Sequence, residues 1–186
     1  MKLTNKKPLF RISLNALFLA MYIGLSFASI RIPPVFEFTL KGLPLVFCAI
    51  FFGPIDAMAV AAGGELICQF IPYINPYGIT PTVPLWLLPV MLRGLIVGLL
   101  FKEKDPIKHK ALWIVTMIVS CLAVTTANIG VTYLDGLIME YPPELTGIKI
   151  VIKFVNSIVV AIIFTFVIPV ITESLKHTKF IEKDSD

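Results

Sequence analysis

The sequence predicts an all-α membrane protein: a bundle of six transmembrane helices with both termini in the cytoplasm. Three observations predict it. Of 186 residues, 57% are hydrophobic and 15% charged, against roughly 45–50% and about 25% in a soluble domain, and mean hydropathy is +0.88. Six runs with few or no charges follow one another along the chain. Eleven of the sixteen Lys and Arg residues lie on the side that would hold both termini, as the positive-inside bias requires. So few charges cannot coat a soluble core, which excludes a disordered chain, a coiled coil and an ordinary cytosolic enzyme. The net charge of +4 follows membrane topology, so the partner surface it implies is the lipid bilayer and not nucleic acid.

The first run, residues 12–30, holds 19 uncharged residues, close to the ~20 needed to span at 1.5 Å rise each. The second, 42–53, is short, and Gly53-Pro54 turns it tightly into the third, 54–71, which is broken by Glu65. Four prolines and a glycine in residues 72–84 exclude a helix there. The fourth run, 84–101, carries Arg93 at its centre. A charged turn at 102–110 leads to the fifth, 111–134, and a loop at 135–147 leads to the sixth, 150–172. Residues 173–186 read as a charged cytoplasmic tail, and the whole chain as one membrane domain. No period-2 pattern suggests a barrel. Cys48, Cys68 and Cys121 sit singly in apolar runs, without metal-ligand spacing. The outer loops, 31–41, 72–83 and 135–147, are longer than the inner turns. That asymmetry suggests an outward-facing pocket covered by loops.

Four features carry chemistry. Ala16, Ala20, Gly24 and Ala28 are spaced by four and share one helical face, where a partner helix can approach closely or internal packing can use the space. Arg93 lies mid-span, at an insertion cost of at least ~2.5–3.5 kcal/mol, and needs a partner. Glu65 in the neighbouring span and a ligand carboxylate are the two alternatives. Thr125, Thr126, Asn128, Lys153 and Asn156 place polar groups on the last two spans, for interhelical hydrogen bonds or for a polar solute. Tyr73, Tyr77 and Trp86 supply aromatics at the outer side. Trp86 is seven residues, two turns, from Arg93, on the same face and placed to stack on a ligand. No Walker A sequence and no hydrolase or metalloprotease motif is present, so ATP hydrolysis is not expected of this chain, nor any enzymatic activity.

These residues resemble a known family. The Ala16/Ala20 pair, Leu43-Pro44 with Phe52-Gly53-Pro54, and the stretch from Tyr77-Gly-Ile-Thr-Pro-Thr through Leu87-Leu-Pro to Arg93-Gly-Leu-Ile-Val-Gly98 are similar to the S-component of an energy-coupling factor (ECF) vitamin transporter, over about residues 13–172. The resemblance implies a bacterial plasma-membrane bundle that binds a water-soluble vitamin without a cofactor. It also implies docking on a transmembrane coupling subunit and two cytosolic ATPases through the alanine motif, here Ala16 and Ala20 with Gly24 continuing the stripe. The pocket would form from the outer loops and the last three helices, giving Tyr77, Trp86, Arg93, Asn128, Lys153 and Asn156 as candidate ligand contacts. The aromatic-rich third outer loop of folate members is missing. Two basic groups and few pocket aromatics make a small hydroxylated carboxylate, pantothenate, the expected substrate, with folate or cobalamin as alternatives. A stand-alone ion-coupled transporter is the alternative from another class.

Overall fold

The computed structural model describes residues 8–32, 36–75 and 79–177. In chain order its elements are α1 (Pro8–Phe27), β1 (Ile30–Ile32), β2 (Phe36–Phe38), α2 (Gly42–Phe52), α3 (Pro54–Gln69), α4 (Val83–Phe101), α5 (Lys110–Ile138) and α6 (Pro143–His177). Six helices thus fall on the six apolar runs. Four of them, α1, α4, α5 and α6, are long and apolar enough to cross a membrane. The other two are shorter than the ~20 residues a full span takes: α2 has 11 residues and α3 has 16.

Several boundaries depart from the sequence-based expectation. The first helix ends at Phe27, and residues 30–32 pair antiparallel with 36–38 (Ile30 opposite Phe38, Ile32 opposite Phe36) in a hairpin the hydropathy pattern hides. The expected outer loop 135–147 is mostly helical. α5 runs on to Ile138 and α6 begins at Pro143, where a proline is favoured at the first helical position because its missing N–H has no partner there anyway. α6 continues to His177, so the part of the tail beyond it lies outside the described residues.

α2 is the centre of the molecule. Its sequence, GLPLVFCAIFF, has no polar face, and every residue but Leu43 is buried, as expected for a helix apolar all round. It packs against α1, α3, α4 and α6. The α2–α3 turn depends on Gly53, whose φ of 92° is left-handed, and on Pro54 at the start of α3. α4 crosses this turn closely. A Cβ on Gly98 would stand 2.5 Å from the Pro54 backbone, and one on Gly94 3.1 Å from Ala57.

α1 is fastened to α3 at both ends by one inward stripe, Arg11, Asn15 and Tyr22. At the end nearer the termini, Arg11 donates to Asp56 through Nε (2.9 Å) and Nη2, and Asn15 Nδ2 donates to Asp56 Oδ1 (3.0 Å). At the other end Tyr22 Oη donates to Glu65 (2.6 Å). With that face inward, Ala16, Ala20 and Gly24 are left exposed, and a Cβ on Gly24 would meet nothing within 4 Å. Of the two uses of this stripe, internal packing is therefore not the one the fold makes.

Candidate functional site

A cavity of about 340 Å³ opens at the end of the bundle opposite the termini, within the size range of small-molecule sites. Three helices supply its polar ladder because each presents a single face. α4 gives Trp86, Pro89, Val90 and Arg93, while α5 gives Val124, Asn128, Thr132 and Asp135. α6 gives Lys149, Ile152, Lys153, Asn156, Ser157 and Val160. Within each helix these positions recur every three or four residues, some as adjacent pairs, which is the helical repeat. Pro89 removes one rung of α4's backbone ladder beside the cavity.

The opposite wall is a hydrogen-bonded cluster centred on Glu65, which is only 5% exposed. Its carboxylate accepts from Tyr22 Oη (2.6 Å), Lys41 Nζ (2.8 Å) and Gln69 Nε2 (3.1 Å). Gln69 Oε1 in turn accepts from Asn75 Nδ2 (2.9 Å). One buried carboxylate thereby ties α1, the segment after the β-hairpin and the α3–α4 loop to α3, all at the cavity wall. The expected Arg93–Glu65 alternative does not form. Lys41, at the entrance to α2, takes the place of Arg93, whose guanidinium lies over the Phe164 ring (5.5 Å to the centroid). Across the cavity, Asp135 is buried and accepts from Thr82 Oγ1 (2.6 Å). Lys153 Nζ sits 3.7 Å above the Trp86 ring and Lys149 Nζ 4.1 Å above Tyr141, both within cation–π range.

The fold brings Trp86, Arg93, Asn128, Lys153 and Asn156 together around this one space. Tyr77 lies outside the described residues. Thr125 and Thr126 go elsewhere. Thr125 bonds Ser157 Oγ (2.5 Å) between α5 and α6, and exposed Thr126 turns back on Leu122 O (2.9 Å). Tyr22, Lys41, Gln69, Asn75, Thr132, Asp135, Tyr141 and Lys149 were not expected at the site. Thr132 and Asp135 follow Asn128 by four and seven residues, and Lys149 precedes Lys153 by four, so periodicity could have found them. Their assignment to a loop, or to no feature, concealed it.

Residues 9–173 match the family model described as ECF-type riboflavin transporter, S component. The chain belongs to the ECF riboflavin-transporter S-component family. A solved structure described as the S component of a bacterial ECF transporter shares the fold, with TM-score 0.59 at 17% identity, covering 91% of this chain and 99% of that one. No curated protein matches. An ECF S component is a membrane-embedded transporter subunit and not an enzyme, and it binds a vitamin and works with an ECF module of a membrane coupling subunit and ATPases. Pantothenate as substrate finds no support, since the matching family is one of riboflavin transporters. Pantothenate rests on two basic groups and few pocket aromatics. In this S component Lys153 covers Trp86, and Tyr22 and Tyr141 also line the cavity.

Proposed function

We propose that this S component captures a riboflavin-type vitamin, a planar heteroaromatic ring with a polar chain, from the outer side of the membrane for ATP-driven uptake by its partner subunits. The observation that carries the reading is the cavity itself. In a chain of this family, a cavity open at the end opposite the termini meets a flat aromatic (Trp86) and a polar ladder (Asn128, Thr132, Asn156). A ring stacks on the first, and its edge and chain exchange hydrogen bonds with the second. Trp86, Asn128, Lys153 and Asn156 are the contacts. The basic-residue bias supports six spans with both termini cytoplasmic, α2 and α3 crossing as a short pair, and the cavity facing outward. The exposed Ala16, Ala20 and Gly24 stripe supports docking of α1 on a helix of the coupling subunit, because small residues let backbones approach.

The test is riboflavin titration of the purified chain by quenching of flavin fluorescence, with mass spectrometry of whatever small molecule co-purifies. Saturable one-to-one binding is expected. Uptake by this chain alone, driven by an ion gradient without any ATPase, would refute the S-component role.

A further inference from the structure

Arg93 is a cation that lies against a ring and meets no hydrogen-bond acceptor among the described residues. Its guanidinium carries five N–H donors, and among the described residues no oxygen accepts from any of them. The guanidinium lies over the Phe164 ring. The two carboxylates of the cavity wall and the Ser157 hydroxyl have partners elsewhere. Glu65 serves Tyr22, Lys41 and Gln69, Asp135 accepts from Thr82, and Ser157 Oγ accepts from Thr125. Room for the fork is also built in. A Cβ on Gly42 would stand 2.5 Å from Arg93 Nη1. Arg93 borders the vitamin cavity on one side. On the other is a void of only about 10 Å³ lined by Val46, Met117, Ser120 and Cys121, no more than one water in size. Arg93 is half-buried, and a water there supplies an acceptor but no charge, so part of the cost of desolvating the guanidinium stays unanswered.

We infer that Arg93 is an anion-binding residue at the inner end of the cavity, and that the cargo carries a carboxylate or phosphate on the end that enters first. The inference rests on the cavity being the vitamin site, as proposed above, and narrows the vitamin's class. Seven residues separate Trp86 from Arg93, about 10 Å along α4. The cargo is therefore a heteroaromatic ring held at the level of Trp86 and joined by a spacer of about that length to an anionic group. Charge balance agrees, since four basic side chains (Lys41, Arg93, Lys149, Lys153) and two acidic ones (Glu65, Asp135) line the described cavity. Neutral riboflavin would occupy the ring site and leave Arg93 as it is. A phosphorylated flavin or a carboxylated pterin would answer it.

The experiment uses two matched pairs on the purified full chain: riboflavin against riboflavin 5′-phosphate, and folate against folate dimethyl ester. In the wild type the anionic member of at least one pair should bind at least about 30-fold more tightly than the neutral member, the lower end for a buried charged contact. Arg93→Met should erase that preference while changing the neutral member less than about threefold. Arg93→Lys should keep part of it. Gly42→Ala, which crowds the guanidinium without removing its charge, should reduce it, and these two variants carry the test if Arg93→Met does not fold. Equal binding of neutral and anionic members, or a preference that survives in Arg93→Met, overturns the inference and leaves Arg93 a structural cation. If none of the four compounds binds, the flavin reading fails separately. The compound that co-purifies then decides Arg93: a neutral one overturns the inference, and an anionic one supports it if Arg93→Met loses it.

Discussion

Glu65 shows at the residue scale how one buried group organises a wall. Three donors from α1, α3 and the entrance of α2 converge on its carboxylate, so its charge is answered although its side chain is nearly inaccessible. Removing one partner of such a pair leaves the other buried and uncompensated, a loss of about 3–5 kcal/mol. Glu65→Gln should therefore lower the thermal midpoint of the detergent-solubilised protein by several degrees. Tyr22→Phe deletes a single hydrogen bond to a charged group, worth about 1.5–3 kcal/mol, and should cost less. The order of the two midpoints is the check. A Glu65→Gln midpoint within a degree of wild type would show that the cluster does not hold the wall. Arg93 is the contrasting case, a half-buried charge with room reserved around it and no acceptor among the described residues. From composition alone these two residues invite pairing with each other, and the chain instead pairs one of them with Lys41.

Two helices make opposite use of small residues. In α4, Gly94 and Gly98 face inward and let the helix lie directly on the α2–α3 turn. Gly98→Val puts side-chain atoms where the Pro54 backbone stands and should destabilise by at least about 1–3 kcal/mol, the usual cost of overpacking. The readout is a loss of monodisperse protein on size exclusion or a fall in the midpoint, and an unchanged midpoint would contradict the close crossing. In α1, Ala16, Ala20 and Gly24 face outward while Arg11, Asn15 and Tyr22 fasten the inner face to α3. Ala20→Trp adds bulk only on the exposed side. It should leave vitamin affinity and the midpoint of the isolated chain unchanged while abolishing co-purification with the coupling subunit and ATPases, together with uptake. Weaker vitamin binding by the isolated variant would mean that this face packs within the S component after all.

At the scale of the whole molecule, the cavity and the loops around it occupy one end, and Pro8 at the start of α1 and His177 at the end of α6 lie at the other. Placing the basic-rich end in the cytoplasm puts position 108 inside and position 140 outside. In a variant free of Cys48, Cys68 and Cys121, a cysteine at 140 should react with an impermeant maleimide on intact cells and one at 108 only after lysis. Reaction of position 108 on intact cells would invert the topology and with it the direction of capture. Six helices, their order and the Gly53-Pro54 turn were legible in the sequence because they depend on local quantities. Apolar transfer energy sums residue by residue, and turn conformation belongs to the two residues that make it. The polar positions Trp86, Arg93, Asn128, Lys153 and Asn156 were legible for a related reason, since a polar group among apolar neighbours stands out wherever the helix is placed. The partner of Glu65, the outward turn of the alanine stripe, the β-hairpin hidden at 30–38, and the helical setting that brings Asp135 and Lys149 to the cavity were decided only by tertiary structure. Each depends on how far one helix is rotated and slid against another. Uniformly apolar helices such as α2 carry no periodicity to specify that rotation, so close packing and the competition of Lys41 and Arg93 for one carboxylate had to determine it.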